Sequence, residues 1–583
     1  AWPAWLCVGK GEPMKRIWQY CRPMKGKIIV EMLVKFSGTV MDLLLPLILS
    51  HIIDEVVPLE NIPLVALWGG VMLVCSGLSL LGNVIANRMA ADVSRVVTRQ
   101  LRHDLYSKIS RLSCEQVDEV GIPSLEARLT SDTYNVHQLV SSMQRIGIRS
   151  PIIIVGGLLL MALRSPRLAL AMGATLPLVV LVVVLVNRYG IPLYTATQRK
   201  VDTLVCTVRE NCTGARVIKA LSKTQHEKER FAQVNDDVTA SEKRASTIMA
   251  VSNPLMNVIL NCALVAVVVL AAYGIQGGSV KPGTLIAFMT YFTIVLNALL
   301  SINRVFVMLS KGTASANRIS SVLDLDTEAD GAPQGRVDTD FHVQFDHVAF
   351  SYKKVKNNLE DVDFALKRGQ TLGIIGPTGC GKSTILNLLL RFYDVDSGAV
   401  RIDGEDIRGM SLEALRAHFG TVLQNDVLFA DTVEENVSFG RNVAADGVRK
   451  AIRYAQADFV DGLEGGAQFE LAPRGSNLSG GQKQRLLIAR ALADAPDILL
   501  LDDASSALDY QTDANLRKTL GERYAHTTKI IVTQRVSSIL RADCILVLEE
   551  GRVIGKGTHE ELLENCSEYR NIAQMQMGSV AYA

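Results

Sequence analysis

The sequence predicts a membrane α-helical domain fused to an α/β domain that carries a phosphate-binding loop. With 583 residues, the chain is too long for one hydrophobic core. Hydrophobic residues make up 48% of it, the mean hydropathy is +0.21, and the long apolar runs lie in the first half. Strand and helix patterns alternate after Phe341. These observations predict a membrane domain at 1–317, a linker at 318–340 and an α/β domain at 341–583.

Charge and cysteine content narrow the class of protein. The 61 basic and 59 acidic residues nearly balance, so the composition gives no reason to expect a nucleic-acid partner. The ten cysteines show no paired C-x-x-C spacing, which fits a reducing cytosol better than a disulfide framework. No cleavable signal peptide is predicted, because charges and prolines interrupt the N-terminal segment.

Six membrane-spanning helices are predicted in the first domain, at about 28–53, 62–86, 140–163, 168–186, 247–275 and 282–303. Apolar runs of this length cross a bilayer at ~1.5 Å per residue. Basic residues precede the first run, so the positive-inside rule places the N-terminus in the cytoplasm. An even number of spans returns the chain to that side. The sequence thus predicts a multi-pass protein of the cytoplasmic membrane, surrounded by lipid, with both termini cytoplasmic.

Long charged stretches with helical periodicity separate some of the spans, at 88–149 and 188–244. They predict membrane helices that continue into the cytoplasm. Two segments within them, 121–132 and 210–219, have two open interpretations. Each is either a short helix that contacts another domain and transmits its movement, or an ordinary solvated helix face.

Polar side chains inside the predicted spans are candidates for a substrate pathway, because hydrocarbon penalises them. Asp42 lies in the middle of the first span, where a carboxylate needs a partner or water, and this favours a pathway. Asparagines recur on one face of the fifth span and once in the sixth: Asn253, Asn257, Asn261 and Asn297. For these, a polar pathway and hydrogen bonding between neighbouring helices are both open.

A phosphate-binding loop follows the apolar strand 371–375 and opens an apolar helix. Its glycines let successive N–H groups point at one centre beside a helix N-terminus, where phosphate oxygens are expected to bind. Lys382 is expected to reach the β- and γ-phosphates, and Ser383 to hold Mg²⁺. The loop residues predicted to bind the nucleotide are Gly376, Thr378, Gly379, Cys380, Gly381, Lys382, Ser383 and Thr384. At Cys380, simple packing and a redox role are both considered.

An acidic residue at the end of a second buried strand indicates the metal site. Four apolar residues, 498–501, precede Asp502. At the carboxyl end of such a strand, Asp502 is expected to hold Mg²⁺ through water. ATP and Mg²⁺ are therefore the predicted cofactors.

In these motifs the sequence resembles the ABC transporter superfamily, and in particular its exporter-type half-transporters, over nearly the whole chain. The most specific match is the signature Leu478-Ser479-Gly480-Gly481-Gln482. The resemblance implies that Tyr352 stacks on adenine, that Gln424 contacts Mg²⁺ and nucleotide, and that 506–509 is a D-loop. It implies further that two such chains close head to tail. Each ATP then lies between the phosphate-binding loop of one chain and the signature of the other.

The signature also has a physical interpretation of its own. Ser479 and the glycines precede a helix, so backbone donors and a positive helix end are available to face a γ-phosphate. The alternative is that Ser479 merely caps that helix.

Two predicted catalytic positions depart from the family pattern. Asp503 stands where the family has a glutamate that polarises the attacking water, and its side chain is one methylene shorter. Gln534 stands where the family has a switch histidine. Glutamine can hydrogen-bond the γ-phosphate, but it carries no proton near neutral pH. Two parts of one hydrolytic site are therefore altered together, whereas the signature is intact.

The resemblance implies ATP-driven export of a small molecule, such as a drug, a lipid or a peptide, by a heterodimer. This chain is expected to bring a hydrolytically impaired site and to complete, with its own signature, the competent site of a second half-transporter. The alternatives are a homodimeric exporter, an importer with an exporter fold, and an ATP-gated regulator or channel. The sequence does not name the substrate, although Asp42 favours a cationic amphiphile.

Overall fold

The structure is a computed structural model that describes residues 12–278, 280–328, 337–352 and 354–577. The chain divides into two compact units. The first contains Ala1–Ser110 and Pro123–Leu325, and the second contains Arg111–Ile122 and Asp326–Ala583. The linker predicted at 318–340 covers the last boundary between the units, between Leu325 and Asp326, and its residues 329–336 lie outside the described ranges.

The first unit is helical, as its periodicity predicts. Its helices, in chain order, are α1 Glu12–Cys21, α2 Lys25–His51, α3 Ile62–Ile109, α5 Ile122–Ala127, α6 Thr133–Ser142, α7 Ile148–Arg164, α8 Pro166–Gly173, α9 Thr175–Thr213, α10 Ala215–Ala220, α11 Thr224–Ala250, α12 Ser252–Gln276 and α13 Pro282–Leu323. The short helix α4 Cys114–Val120 belongs to the second unit.

Five helical stretches are long and apolar enough to cross a membrane within the part of the chain that the structure describes: Met14–Leu59, Ile62–Ile109, Ile122–Arg164, Thr224–Gln276 and Pro282–Leu323. They coincide with the predicted spans one, two, three, five and six. The fourth predicted span covers α8 and the start of α9, where several side chains lie outside the described set. The predicted extensions are also present, since α3 continues for 48 residues without a break.

Apolar side chains face two ways on these helices. Leu43, Met256 and Tyr291 are buried in a core formed by α2, α7, α12 and α13. Leu73 and Leu163, by contrast, are 76% and 74% exposed. Exposed apolar surface of this kind marks contact with a membrane rather than with water.

The second unit contains two β-sheets. An antiparallel sheet in the order β2-β1-β4-β5 is formed by β1 Val343–Phe350, β2 Leu359–Leu366, β4 Ser397–Ile402 and β5 Glu405–Asp406. The central sheet has the order β10-β9-β3-β8-β7-β6, with β3 Thr371–Ile375, β6 Phe419–Val422, β7 Ile498–Asp502, β8 Thr528–Val532, β9 Cys544–Glu549 and β10 Arg552–Gly557. Only β10 runs antiparallel in it. The predicted, largely parallel sheet is confirmed.

Helices flank these sheets: α14 Lys382–Leu389, α15 Leu412–Ala417, α16 Val433–Ser438, α17 Ala445–Tyr454, α18 Gly480–Leu492, α19 Tyr510–Arg523, α20 His559–Asn565 and α21 Ser567–Met577. The strands β3, β8, β7 and β6 are neighbours and parallel, so their carboxyl ends lie along one edge of the sheet. In parallel sheets, ligands bind beyond that edge. All the loops with predicted phosphate, metal and catalytic residues follow these four strands.

Candidate functional site

The phosphate-binding loop joins β3 to the N-terminus of α14. Gly379 and Gly381 have φ angles of 84° and 102°, a left-handed backbone that residues with a Cβ rarely adopt. At Gly376, a Cβ would lie 2.1 Å from the carbonyl oxygen of Leu548, so only glycine fits. The helix starts at Lys382, directly after the loop. Its unpaired N–H groups therefore open toward the loop, as an anion site requires.

Lys382 is folded over this loop. Its Nζ donates to the carbonyl oxygens of Gly376 at 2.8 Å and Pro377 at 2.7 Å. Cys380 is buried below it, with Sγ 3.8 Å from the same Nζ, an arrangement for which packing is a sufficient account. The ammonium group is thus already held at the place where phosphate oxygens would arrive.

Ser383 and Asp502 bring the two predicted metal-binding motifs together. The Ser383 Oγ donates to Asp502 Oδ2 at 2.7 Å, so a hydroxyl and a carboxylate from different elements share one point. Burial raises the pKa of the Asp502 carboxyl, and the hydrogen bond from Ser383 opposes that rise. Oxygen ligands of this type suit Mg²⁺, and the donor set at this point fits the ion.

A cavity of about 260 Å³ at the carboxyl edge of the sheet brings together many of the predicted residues, although Gly376 and Cys380 do not line it. Its lining consists of Asn358, Thr378, Gly379, Gly381, Lys382, Ser383, Thr384, Gln424, Asp502, Asp503, Val532, Thr533 and Gln534. Loops after β3, β6, β7 and β8 all contribute, which is why residues so distant in sequence meet. Asn358, Val532 and Thr533 also line the cavity and were not among the predicted site residues.

Asp503 follows β7 directly. Its N–H donates to the carbonyl oxygen of Val532 at 2.9 Å, and its φ is 50°, a left-handed conformation that aspartate adopts more readily than most residues. Gln484 of α18 donates to the carbonyl oxygen of Asp503 at 3.3 Å and to Ser506 Oγ at 2.9 Å. Gln484 therefore connects the helix of the signature to the catalytic position and to the D-loop, a role that no sequence signal indicated.

Gln534 lies two residues beyond β8 and lines the same cavity. The preceding residue, Thr533, donates its N–H to the carbonyl oxygen of Ile374 at 3.1 Å. This bond fixes the start of the switch loop against β3. Gln534 thus lines the cavity together with Asp503 and residues of the phosphate-binding loop.

Tyr352 lies beside the phosphate-binding loop rather than in the cavity itself. Its hydroxyl donates to Thr384 Oγ1 at 3.3 Å and accepts from Asn387 Nδ2 at 3.1 Å. The ring makes edge contacts with Phe350 and Tyr393, with centroid distances of 4.8 and 4.9 Å. An aromatic side chain fixed next to the loop in this way is available to stack on a base.

The signature lies away from this cavity, at the N-terminus of α18. Ser479 caps the helix: Gln482 N donates to Ser479 Oγ at 3.3 Å, and Ser479 N donates to Gln482 Oε1 at 2.9 Å. Gly480 and Gly481 begin the helix, and a Cβ on Gly481 would lie 2.9 Å from the carbonyl oxygen of Ala507. Ser479 thus caps the helix, and the same geometry leaves Ser479 and the helix end exposed, which is compatible with both interpretations of the signature.

One short helix of the second unit was not anticipated. It is α4, which lies immediately before the segment 121–132 and begins with a capping box between Ser113 and Gln116. Tyr393 Oη donates to Asp118 Oδ2 at 2.6 Å. The spacing Ser-x-x-Gln was a usable sequence signal for this helix start. The other expected segment, 210–219, contains the start of α10 in the first unit.

Asp42 has partners within the first unit. Arg149 of α7 donates to Asp42 Oδ2 at 3.0 Å, and Ser79 of α3 donates to Asp42 Oδ1. A carboxylate in this position needed a partner or water, and the structure supplies two protein partners. This pairing weakens the argument for a cationic substrate at Asp42.

The asparagines differ from Asp42. Asn257 and Asn261 are exposed on α12, and Asn297 is exposed on α13, where its amide donates to the carbonyl oxygen of Thr293 at 3.0 Å. The side chain of Asn253 lies outside the described set. Exposure on the surface of this unit fits a polar pathway better than packing between its own helices.

Two families match different parts of the chain. The ABC transporter transmembrane region matches residues 28–299, and the ABC transporter family matches residues 359–506. The first match covers the apolar helices, and the second begins at β2 and ends just after β7.

Relatives match along nearly the whole length. The ABC transporter ATP-binding protein YfiB of Bacillus subtilis is 32% identical over 570 residues, which are 97% of this chain and 99% of that protein. The ATP-dependent lipid A-core flippase of Vibrio vulnificus is 29% identical over 574 residues, 97% of either chain. A bacterial Atm1-family ABC exporter solved with ATP bound has a TM-score of 0.82 and 25% identity, with 96% of this chain and 99% of that one covered.

The helical unit, the phosphate-binding loop and the full-length relatives lead to one conclusion. The chain belongs to the ABC transporter family, with the exporter fold that joins a multi-pass membrane domain to an ATP-binding domain and couples ATP to transport.

Proposed function

We propose that this chain is one subunit of a heterodimeric ABC exporter, in which its own ATP site hydrolyses slowly and its signature completes a competent site on the second subunit. The observation that carries the proposal is the composition of the cavity. Asp503 and Gln534, the two departures from the family pattern, both line it together with an intact phosphate-binding loop. In this cavity, the residues expected to bind ATP therefore follow the family pattern, whereas the two residues expected to promote hydrolysis depart from it.

ATP binding at this cavity is assigned to the residues of the loop. Lys382 and the N–H groups of the loop and of α14 hold the phosphates, and Tyr352 stacks on the adenine. Mg²⁺, when bound, neutralises phosphate charge, and Ser383, Asp502 and Gln424 are the residues that would hold it. Asp503 then has to orient the attacking water with a side chain that is one methylene shorter than the glutamate of the family. A displacement of the carboxylate by about 1 Å lowers the hydrolysis rate about a hundredfold.

The signature serves the other subunit. Ser479 and Gly480 are exposed at the N-terminus of α18, Gly481 is half-buried, and none of the three lines the cavity of their own chain. A helix end with free backbone donors stabilises a γ-phosphate brought by a second chain. Two chains closed head to tail form two ATP sites, and ATP binding favours the closed state because it contacts both chains only there.

The transported substrate is proposed to be an amphiphilic small molecule, a lipid or a peptide that crosses along the exposed asparagine face. Asn257 and Asn261 of α12 and Asn297 of α13 supply polar groups on otherwise apolar helices. The similarity to a lipid A-core flippase supports an amphiphile. Asp42 is proposed to join α2, α3 and α7 and not to meet substrate.

The test is Asp503→Glu in the transporter purified with its second subunit. The longer side chain restores the reach of the base, and we expect single-turnover hydrolysis of ATP at this site to rise by about tenfold or more. Asp446→Glu, an exposed aspartate of α17 in the same unit, is the matched control and should change nothing.

Removal of each catalytic carboxylate tests the asymmetry. Asp503→Asn should leave most of the steady-state ATPase activity, whereas the loss of the corresponding glutamate of the second subunit should abolish it. Equal losses from the two substitutions, or brisk ATPase activity of this chain assembled with itself, would refute the heterodimer with unequal sites.

A further inference from the structure

The switch loop that carries Gln534 is held by a side chain from the C-terminal helix. Gln576 of α21 donates from Nε2 to the carbonyl oxygen of Gln534 at 2.6 Å. The same amide accepts at Oε1 from the N–H of Val536 at 2.8 Å. One side chain thus pairs with an acceptor and a donor two residues apart, and it fixes the backbone on both sides of residue 535.

The position of Gln576 is set by the packing of α21. Tyr569 and Ala573 are fully buried in an apolar cluster that also contains Val536 and Ile539. Residues 569, 573 and 576 follow the i, i+4, i+7 spacing of one helix face, so the face that enters the core also carries Gln576 onto the loop. His559 Nδ1 lies 2.7 Å from the Tyr569 hydroxyl and further anchors the helix.

The loop is restrained on its other side as well. Arg535 donates to the carbonyl oxygens of Ser505 at 3.4 Å and Ser506 at 3.1 Å, so it connects the switch loop to the loop that follows Asp503. Thr533 Oγ1 accepts from Arg535 N at 3.0 Å. The backbone around Gln534 is therefore held between α21 and the loop that follows Asp503, and Gln534 lines the cavity.

We propose that Gln576 is a positioning residue for Gln534, through which the C-terminal helix sets the rate of ATP hydrolysis at this site. The inference rests on the proposed function and on a hydrogen bond from the Gln534 side chain to the γ-phosphate, which a glutamine at this position can donate. Gln576 is not among the residues that line the cavity. Its contribution is geometric, because a displacement of the loop by a fraction of an ångström moves the Gln534 amide off the phosphate.

The experiment uses the assembled transporter, with the catalytic carboxylate of the second subunit substituted so that this site alone is measured. Gln576→Met keeps the length of the side chain and removes both hydrogen bonds. We expect it to lower single-turnover hydrolysis of γ-labelled ATP by about five- to tenfold, the effect of a small misplacement, with the Kd for ATP unchanged within about twofold.

Two further variants define the contact. Gln576→Glu retains an acceptor for Val536 N–H but faces the Gln534 carbonyl with a second oxygen, so its rate should fall as far as that of Gln576→Met. Gln574→Met, at an exposed glutamine on the same helix, is the matched control and should hydrolyse ATP at the original rate. Because Gln576→Glu is isosteric, it also tests the proposal if the methionine variant fails to fold.

A double-mutant cycle with Gln534→Ala separates positioning from general stabilisation. If Gln576 acts through the Gln534 side chain, Gln576→Met causes no further loss of rate in the Gln534→Ala background. A loss that persists in full there, or wild-type hydrolysis in Gln576→Met, overturns the inference. If Gln534→Ala alone hydrolyses ATP normally, then the role proposed for Gln534 has failed and the inference falls with it. A normal Gln576→Met beside a slow Gln534→Ala refutes the inference alone.

Discussion

Lys382 shows how a single residue prepares the site for its ligand. Lys382 is 9% exposed, and its ammonium group donates to two backbone carbonyl oxygens of its own loop. The positive charge of Lys382 is held by neutral carbonyl groups, and a negatively charged phosphate is a stronger hydrogen-bond partner than they are. Because the side chain is already ordered, binding a phosphate costs little further side-chain entropy. The loop is therefore pre-organised for an anion.

We expect Lys382→Ala to weaken ATP binding by about ten- to a hundredfold, because hydrogen bonds to charged groups are worth ~1.5–3 kcal/mol. Lys382→Arg should weaken it as well, since the buried space is shaped for a compact ammonium group. The measurement is equilibrium binding of a fluorescent ATP analogue to the purified transporter. Lys367→Ala, at an exposed lysine in the same unit, should bind as before, and an unchanged affinity in Lys382→Ala would contradict the assignment.

At the scale of single elements, α4 is the clearest case of a helix held by a few polar contacts. Burial and then the Asp118 carboxylate raise the pKa of Tyr393, so the phenol stays protonated and donates to Asp118 throughout the physiological range. The capping box at Ser113 supplies about 1 kcal/mol more to the helix start. In the same unit, the Arg416 guanidinium donates two hydrogen bonds to the Glu328 carboxylate, each 3.1 Å long.

Tyr393→Phe should loosen α4, because it removes one hydrogen bond worth ~0.5–1.5 kcal/mol and leaves the ring in place. Hydrogen exchange of the amides in 111–122 should then become about two- to tenfold faster. Asp118→Asn should act in the same direction, and the two effects should not add. Tyr510→Phe, at a tyrosine that is 81% exposed, is the control. Unchanged exchange in 111–122 would show that this bond does not hold the helix.

Sequence patterns predicted elements best where burial alone determines them. The strands 371–375 and 498–502 were predicted with the bounds that they have, because each is a continuous apolar run in a buried parallel sheet. The sequence predicted this helix from its apolar residues, whereas α14 begins earlier, at Lys382. Its first turn is polar and belongs to the phosphate-binding motif. The contact of α4 and the bonds of Gln484 and Gln576 are tertiary, and no local pattern encodes which backbone group a glutamine reaches.

At the scale of the whole molecule, the proposed function requires two separated halves of an ATP site in each chain. The cavity at the carboxyl edge of the sheet is lined by residues of the phosphate-binding loop and by the predicted metal-binding and catalytic residues, and the signature lies elsewhere in the same unit. Sequence motifs predict both halves. Which second chain completes them is a property of the assembly, and the residues of one chain do not encode it directly.

The unequal heterodimer predicts an unequal nucleotide content. After brief incubation with ATP and Mg²⁺ and rapid removal of free nucleotide, each dimer should retain about one unhydrolysed ATP and one ADP, because the site with Asp503 and Gln534 binds without rapid hydrolysis. Acid extraction and chromatography of the bound nucleotides measure this ratio. The double variant Asp503→Glu, Gln534→His restores both family residues and should convert the retained ATP to ADP. Two molecules of ADP per dimer in the original protein would show that both sites hydrolyse alike.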